Sequence, residues 1–451
     1  MPPTSTSKCS TGDPPLPATS ANSLGDTRPR IAIFDYFVTR TSPSGNCWLG
    51  LLRQLADSFD FTVFAVEFDN PRPSRIRWVR VPVWFRRPLG ALFVCFHVTA
   101  LLAYLIEKAR GRNFDLVLSV ESNFLLPNIC YAHFCHRYYI ETRFSQSGRR
   151  GMHRLARWVN HALRAAIEPF VFRRAREIVT PSAGLARELA QVYPAAAPKL
   201  TVVPNAIPPD FAPSPEFDRW EFRRRLGLEA SDVAIAFVAL GDFEAKGLGV
   251  LLQALRELGE RRLKVLVVGG TWDAIREARS KAKSLDVAAQ LVCVGFQMDV
   301  RPYLWSSDAL ALLSSYEVFP LVVLEAAAAH LPLLVTPVHG VADFVCPGRN
   351  AIVVERTPSA VARGLRILLE LGPHGRAAMG SAAYHTVRAY SQDALAAAWA
   401  AVLTRQLEHR SLAGAAAAQL RHPTARPTHI PIDAAKLTDH AHPPGTTRHG
   451  N

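Results

Sequence analysis

Two glutamates, Glu317 and Glu325, stand with seven residues between them in the stretch SSYEVFPLVVLEAAAAHLPLLVTPVHG, residues 314–340. The pattern puts Glu317 in a loop after a strand and Glu325 in the first turns of the next helix. The start of that helix, Leu321 to Val323, presents unpaired backbone N–H groups and a partial positive charge, a place for a diphosphate. A carboxylate on each side accepts hydrogen bonds from sugar hydroxyls, which are donors. The residue types therefore suit a phosphorylated sugar, although two glutamates at this spacing also arise often by chance. A second cluster, YAHFCHRYY (131–139), carries His133 and His136. Read as a strand, it puts His133 and Cys135 on one face and Phe134 and His136 on the other.

The elements that must hold these groups alternate in type. In the first half, IAIFDYF from Ile31, FTVFAVEF (61–68), FDLVLSVES (114–122) and NICYAHF (128–134) read as strands. CWLGLLRQLADSF has helical periodicity, and REIVTPSAGLARELAQVY reads as strand, turn and helix. In the second half, VAIAFVAL (233–240), LKVLVVGG (263–270), AQLVCVGF (289–296), DALALLSS (308–315) and LPLLVTP (331–337) are strands, with helices GLGVLLQALREL and LVVLEAAAAH among them. Such alternation predicts parallel sheets with ligands at the strands' carboxyl ends. The expected fold class is α/β, with two Rossmann-like, doubly wound domains facing each other across a cleft.

Five prolines between Lys199 and Phe217 mark the linker. The expected organisation is a disordered segment over 1–28, a first domain over 29–205, a linker over 206–218 and a second domain over 219–385. A C-terminal helix over 386–410, able to cross back to the first domain, and a disordered tail over 411–451 complete it.

Residues 88–106, PLGALFVCFHVTALLAYLI, form an apolar run with His97 as its strongly polar member and arginines or lysines on both flanks. Its length reaches the lower limit for crossing a bilayer. Three readings stay open: a buried helix, a helix lying at a membrane surface, and a spanning helix. Between Arg137 and Arg176, ten arginines face two acids, Glu141 and Glu168, with Leu155, Trp158, Val159 and Leu163 interleaved at helical spacing. That pattern fits either a solvated basic face or attraction to anionic lipid.

The chain has 451 residues, 49% of them hydrophobic and 20% charged, which excludes global disorder and fibrous composition. Lys and Arg number 52 against 38 Asp and Glu, a net charge of +14 that favours anionic partners. No nucleic-acid-binding module is visible, so nucleic acid is not an expected partner. Seven cysteines, scattered and without a CxxC pair, suggest a reducing compartment. Residues 1–28 contain no apolar signal-like core. The expected location is cytoplasmic, at the inner face of a membrane.

Five segments, in order, resemble motifs of one family. The Glu-x7-Glu stretch, GDFEAKGLGVLLQAL (241–255), VVPNAIPPDF (202–211), SPSGNCWLGLL (42–52) and YAHFCHRYY are similar to those of the retaining GT-B glycosyltransferases of family 4, over about Ile31 to Leu407. The resemblance implies a GT-B fold and assigns roles. Lys246 neutralises the donor diphosphate in place of a metal, Glu325 takes the nucleotide ribose, and Glu317 takes the donor sugar near the reacting carbon. Gly45 and Asn46 let the first domain approach the phosphates. Gly269, Gly270 and Phe296 lie at the base pocket, while Phe319, Leu321 and Val322 complete the donor side. His133 faces the donor sugar, with His136 second. Glu317, His133 and Lys246 are thus the catalytic set, with no metal site.

Three positions depart from the family pattern. Leu240 and Gly241 occupy the region where an arginine is frequent, Pro320 stands where glycine is common, and Asp343 replaces a frequent Glu. The implied activity is transfer of a hexose, with retention and without metal or other cofactor. The donor is a nucleotide-diphosphate sugar, and the acceptor a glycan or lipid-linked molecule at the cytosolic membrane face, in cell-envelope or exopolysaccharide biosynthesis. The partners are donor, acceptor and an anionic membrane surface. Two other readings are a catalytically degenerate, membrane-associated binding module and a GT-B sugar-nucleotide epimerase.

Overall fold

In the computed structural model, residues 28–144, 151–207 and 211–421 are described. The expected disordered segment over 1–28 therefore falls almost wholly outside the described residues, as does the tail beyond Arg421. The first sheet contains β1 (Arg30–Phe34), β3 (Asp60–Ala65), β5 (Arg77–Arg80), β6 (Leu116–Val120), β7 (Ile129–Tyr131), β8 (Glu177–Thr180) and β9 (Leu200–Val202). A short ribbon pairs β2 (Phe37–Val38) with β4 (Glu67–Phe68). The strand order is β5-β3-β1-β6-β7-β8-β9, parallel throughout.

Its helices are α1 (Pro43–Leu55), α2 (Leu89–Ala109), α3 (His136–Thr142), α4 (Gly151–Arg174) and α5 (Ala183–Val192). The central strand β6 is buried along its whole length, so its LVLSV sequence has no polar face to show. Phe34, Phe64, Phe93, Phe96 and Phe124 fill the space between this sheet and α2.

The second sheet runs β12-β11-β10-β13-β14-β15, again parallel. Its strands are β10 (Val233–Val238), β11 (Leu263–Val268), β12 (Leu291–Gly295), β13 (Ala309–Leu312), β14 (Leu333–Val335) and β15 (Ala351–Val353). Around it lie α6 (Arg219–Arg225), α7 (Leu248–Leu258), α8 (Trp272–Ser284), α9 (Arg301–Trp305), α10 (Leu321–Ala328), α11 (Pro358–Glu370) and α12 (Gly372–Val387). Apolar clusters cover both sheet faces, as a fully parallel sheet requires.

The last helix, α13 (Gln392–Arg421), extends beyond the expected boundary at residue 410. Its alanine-rich continuation has high helix propensity, whereas composition alone had suggested a tail there. The part of α13 up to Gln406 lies on the first domain. Trp399 packs on Trp48 and Tyr131 with ring centroids 5.3 and 4.9 Å away, and Gln54 donates to Asp393 at 2.9 Å. Residues 407–421 form a separate unit, helical throughout.

In each sheet the order reverses once, between β1 and β6 and between β10 and β13. At such switch points the loops leaving adjacent strands diverge and open a crevice beyond their carboxyl ends. Lys246 and Glu317 follow the two strands at the second of these points, while His133 follows β7, Gly269 and Gly270 follow β11, and Phe296 follows β12.

Candidate functional site

At the second sheet's switch point, the loop after β10 carries Lys246 and the loop after β13 carries Glu317. The two side chains meet as an ion pair, with Lys246 Nζ on Glu317 Oε1. The Ser314 hydroxyl donates to the same oxygen at 2.6 Å, and Thr336 Oγ1 fixes the Ser314 carbonyl at 2.7 Å. Both loops are anchored by Arg356, whose Nε donates to the Leu313 carbonyl at 2.9 Å and whose Nη2 donates to the Glu244 carbonyl. Lys246 keeps about a third of its side chain exposed, whereas Glu317 is nearly covered. The lysine can therefore swing toward an incoming anion while the carboxylate stays in place.

Pro320 is the N-cap of α10, which begins at Leu321. Proline belongs at a helix start because the missing N–H has no intrahelical partner there. Leu321 and Val322 supply the free N–H groups that follow it. Glu325 faces the cleft from the same helix, and among the described residues no donor bonds its carboxylate. Burial pushes that carboxyl up to about 7. Burial pushes the Cys47 thiol of α1 up, and the Glu325 charge raises it further.

The glycines are each held by contacts within the chain. A Cβ on Gly45 would lie 2.8 Å from the Phe37 carbonyl oxygen and 2.7 Å from the Thr39 nitrogen. The small residue is thus required by its own chain, where α1 meets the strand β2. Asn46 lies in the first turns of that helix. Gly269 and Gly270 have φ of +104° and +84°, and side chains there would strike the Ala239 carbonyl oxygen and the Phe243 ring. They shape the floor beside the β10 loop. Phe296, just beyond β12, is exposed, and Phe319 packs beneath the turn at Gly340.

His133 does not lie in a strand. The sheet ends at Tyr131; Ala132 makes a last bond to the Val179 carbonyl, and α3 starts at His136. Glu168 of α4 forces this turn, since its carboxylate accepts from the backbone N–H groups of His136 and Arg137 at 2.6 and 3.2 Å. The predicted alternation of faces is therefore wrong. His133 packs on Tyr131 with ring centroids 4.0 Å apart and the rings tilted at 59°, and its Nε2 is buried with no hydrogen-bond partner among the described residues. Burial pushes its pKa down to about 4, against the opposing pull of Glu121, so the ring is neutral near pH 7. His136 is committed elsewhere: Nδ1 to His161 Nδ1 at 2.9 Å and Nε2 to Glu121 at 3.4 Å.

The first sheet's switch point holds a buried polar network that the sequence did not announce. Asp35 follows β1, and its Oδ1 accepts from Tyr36 N at 2.7 Å and from Asn123 Nδ2 at 3.2 Å. Arg164 donates to Glu121 at 2.9 Å. Burial raises the Asp35 carboxyl to about 7. Burial alone would also raise Glu121, but the His136 hydrogen bond and the Arg164 charge outweigh it and hold that carboxyl down to about 2.

Sequence reasoning also missed the residues that join the two domains. Glu188 of α5 accepts from Tyr316 OH at 2.9 Å and bonds His339 Nε2 at 2.9 Å. Asp343 accepts from the Ala183 N–H at 3.1 Å, and Arg157 lies 3.6 Å from Asp242 in the Lys246 loop. Nothing local marks such pairs, because their partners are a hundred or more residues away or lie in the other domain.

Two doubly wound domains meeting at their switch points, with a lysine, a helix N-terminus and two carboxylates in the cleft, define a GT-B glycosyltransferase fold. Residues 44–211 match the family model Glycosyltransferase Family 4, and residues 218–386 match Glycosyl transferases group 1. The chain belongs to this family of glycosyltransferases.

Among curated relatives, it is 30% identical over 207 residues to an uncharacterised glycosyltransferase of Methanocaldococcus jannaschii, covering 44% of this chain and 52% of that one. It is 30% identical over 292 residues to the D-inositol 3-phosphate glycosyltransferase of Kineococcus radiotolerans, covering 58% and 66%. The chain thus spans about half to two thirds of the length of these relatives. Among solved structures, WaaG, a glycosyltransferase involved in lipopolysaccharide biosynthesis, superposes with a TM-score of 0.67 at 19% identity, over 83% of this chain and 99% of that one. The sucrose-phosphate synthase of Thermosynechococcus elongatus gives 0.68 at 17%, over 85% and 100%. At these identities the likeness is one of fold.

Proposed function

We propose that the protein is a retaining, metal-independent glycosyltransferase that moves a hexose from a nucleotide-diphosphate sugar to a glycan or lipid-linked acceptor at a cytosolic membrane face, in cell-envelope or exopolysaccharide biosynthesis. The observation that carries this reading is the ion pair of Lys246 and Glu317 beside the free N–H groups of α10, with the unpaired Glu325 carboxylate on the same helix. The diphosphate takes Lys246 away from Glu317 and lies on the N–H groups of Leu321 and Val322. Glu325 then accepts from the ribose, and the released Glu317 accepts from the donor sugar. The lysine and the helix dipole stabilise the charge that grows on the leaving phosphate. The acceptor oxygen bonds to the anomeric carbon as the carbon–phosphate oxygen bond breaks on the same face, and that phosphate oxygen takes the hydroxyl proton. His133, with its neutral ring, helps orient the sugar. The protein's contribution is position and charge.

The relatives' names point to two kinds of acceptor: WaaG is named for lipopolysaccharide biosynthesis, in keeping with a lipid-linked acceptor, whereas the D-inositol 3-phosphate glycosyltransferase is named for a small soluble one. A panel of UDP-, GDP- and ADP-sugars in a thermal-shift assay tests the donor. Ligand at 100 times its dissociation constant adds about 2.7 kcal/mol of stability. The reading expects a melting shift with one nucleotide class that Lys246→Ala removes, together with nucleoside diphosphate release in the presence of acceptor. A shift without turnover favours the degenerate binding module, which the loss of a backbone donor at Pro320 favours slightly. Sugar isomerisation without acceptor favours the epimerase.

A further inference from the structure

Helix α2 (Leu89–Ala109) is long and apolar enough to cross a membrane, yet the structure gives it two different faces. Leu92, Phe93, Phe96 and Ala100 are buried against the first sheet. Val94, Val98, Leu102 and Leu105 are about half exposed, and at 100° per residue they fall within about 80° of arc. They form a stripe roughly 16 Å long at 1.5 Å per residue. Trp84 and Phe85, in the loop just before the helix, are 75% and 58% exposed. Val159 and Leu163 of α4 abut Gly90, and Leu155 and Trp158 carry the apolar surface onward along α4.

The helix cannot leave the sheet. It is the crossover between β5 and β6, and β6 is a fully buried central strand paired with β1 and β7. Turning α2 across a bilayer would strip its phenylalanines from the core. The exposed stripe, however, needs no rearrangement to meet an apolar phase.

The charges at its two ends select the phase. Arg86 pairs with Glu67, leaving Arg87 beside it. At the other end Arg77, Arg110 and Arg112 all converge on the buried Glu107, three cations to one anion, with Lys108 next to them. A flat apolar stripe with positive ends is complementary to anionic head groups over acyl chains.

We infer that the outer face of α2, with Trp84 and Phe85, is a fixed lipid-docking surface that lies in the head-group region of an anionic membrane without crossing it. It rests on the proposed transfer to a membrane-presented acceptor for its purpose, since it holds the first domain's cleft near the bilayer. Its test needs no turnover.

The test is co-sedimentation of the full chain with phosphatidylcholine vesicles, with and without phosphatidylglycerol. Wild-type protein is expected to sediment with the anionic vesicles, to show a blue shift in tryptophan emission, and to be released by high-salt or carbonate washing. The double variant Val98→Asp/Leu102→Asp is expected to lose more than about tenfold in vesicle affinity. Because both side chains point outward, it should keep the wild-type melting temperature and nucleotide-sugar shift. An intact nucleotide-sugar shift alongside absent vesicle binding would overturn the docking surface alone and leave the proposed transfer standing. Equal binding by the double variant, or retention after carbonate washing, would also overturn it. So would a wild-type dimer that the double variant converts to monomer, since a second copy would then own the face.

Discussion

Lys246 Nζ and Glu317 Oε1 are bonded to each other across the second sheet's switch point, each occupying the place where the other's ligand would bind. The pair keeps two opposite charges from standing alone in the cleft, and Ser314 holds the carboxylate on its other side. In the proposed mechanism a diphosphate competes with Glu317 for the lysine, so loading the donor frees the carboxylate for the sugar in the same event. Glu317→Ala therefore frees Lys246 in the empty protein. Binding of the bare nucleoside diphosphate, which makes no sugar contact, is expected to tighten in Glu317→Ala and to weaken in Lys246→Ala. Calorimetric titration checks this; weaker binding in both would contradict the competition.

In the proposed mechanism, charge neutralisation by Lys246 and the start of α10 takes the place of a cation. Treatment with EDTA is expected to leave turnover unchanged. Loss of most activity, restored by magnesium or manganese, would contradict the metal-free mechanism.

The Glu325 carboxyl, raised by burial to about 7, gives a pH signature. Below about 4.5 folded and unfolded chains both hold its proton. Between about 4.5 and 7 the folded state holds it and the unfolded state does not, so this group's contribution to stability falls as pH rises through that window. Glu325→Gln removes the titration. Its melting temperature relative to wild type should rise between pH 5 and pH 8, and parallel curves would contradict the assignment. Ribose hydroxyls favour the ionised form, so wild-type donor affinity should weaken below pH 7.

Glu188 holds the two domains together through Tyr316 and His339. It is buried, and Glu188→Ala leaves both partners without their acceptor at a cost of about 2–3 kcal/mol. Chemical denaturation measures that cost. The donor KM should rise as well, because Tyr316 is next to Glu317; unchanged stability and KM would show the clasp to be idle.

The parts of this molecule legible in its sequence are those whose causes are local. Strands such as LKVLVV carry their burial in their composition, and Lys246, Glu317 and α10 lie in continuous motifs. Placing them at one switch point needs only the alternation of strands and helices. His133 was misplaced because the turn after Tyr131 is imposed by Glu168, more than thirty residues away. The packing of Gly45 was not legible for a similar reason: the Phe37 carbonyl constrains it, and a glycine's type alone does not reveal such a contact. The two faces of α2 were invisible because the residues of the run are nearly all apolar. Only the sheet beneath it decides which of them are covered.

The division of labour between the two glutamates is the claim on which the site depends, and steady-state kinetics with one identified donor tests it most directly. Glu325 is assigned to the ribose, distant from the breaking bond, so Glu325→Ala should raise the donor KM and largely spare kcat. Glu317 is assigned beside the reacting carbon, so Glu317→Gln, which keeps size and loses charge, should lower kcat by about 10²-fold or more. A near-normal kcat in Glu317→Gln, or a change in KM alone in both variants, would contradict the account.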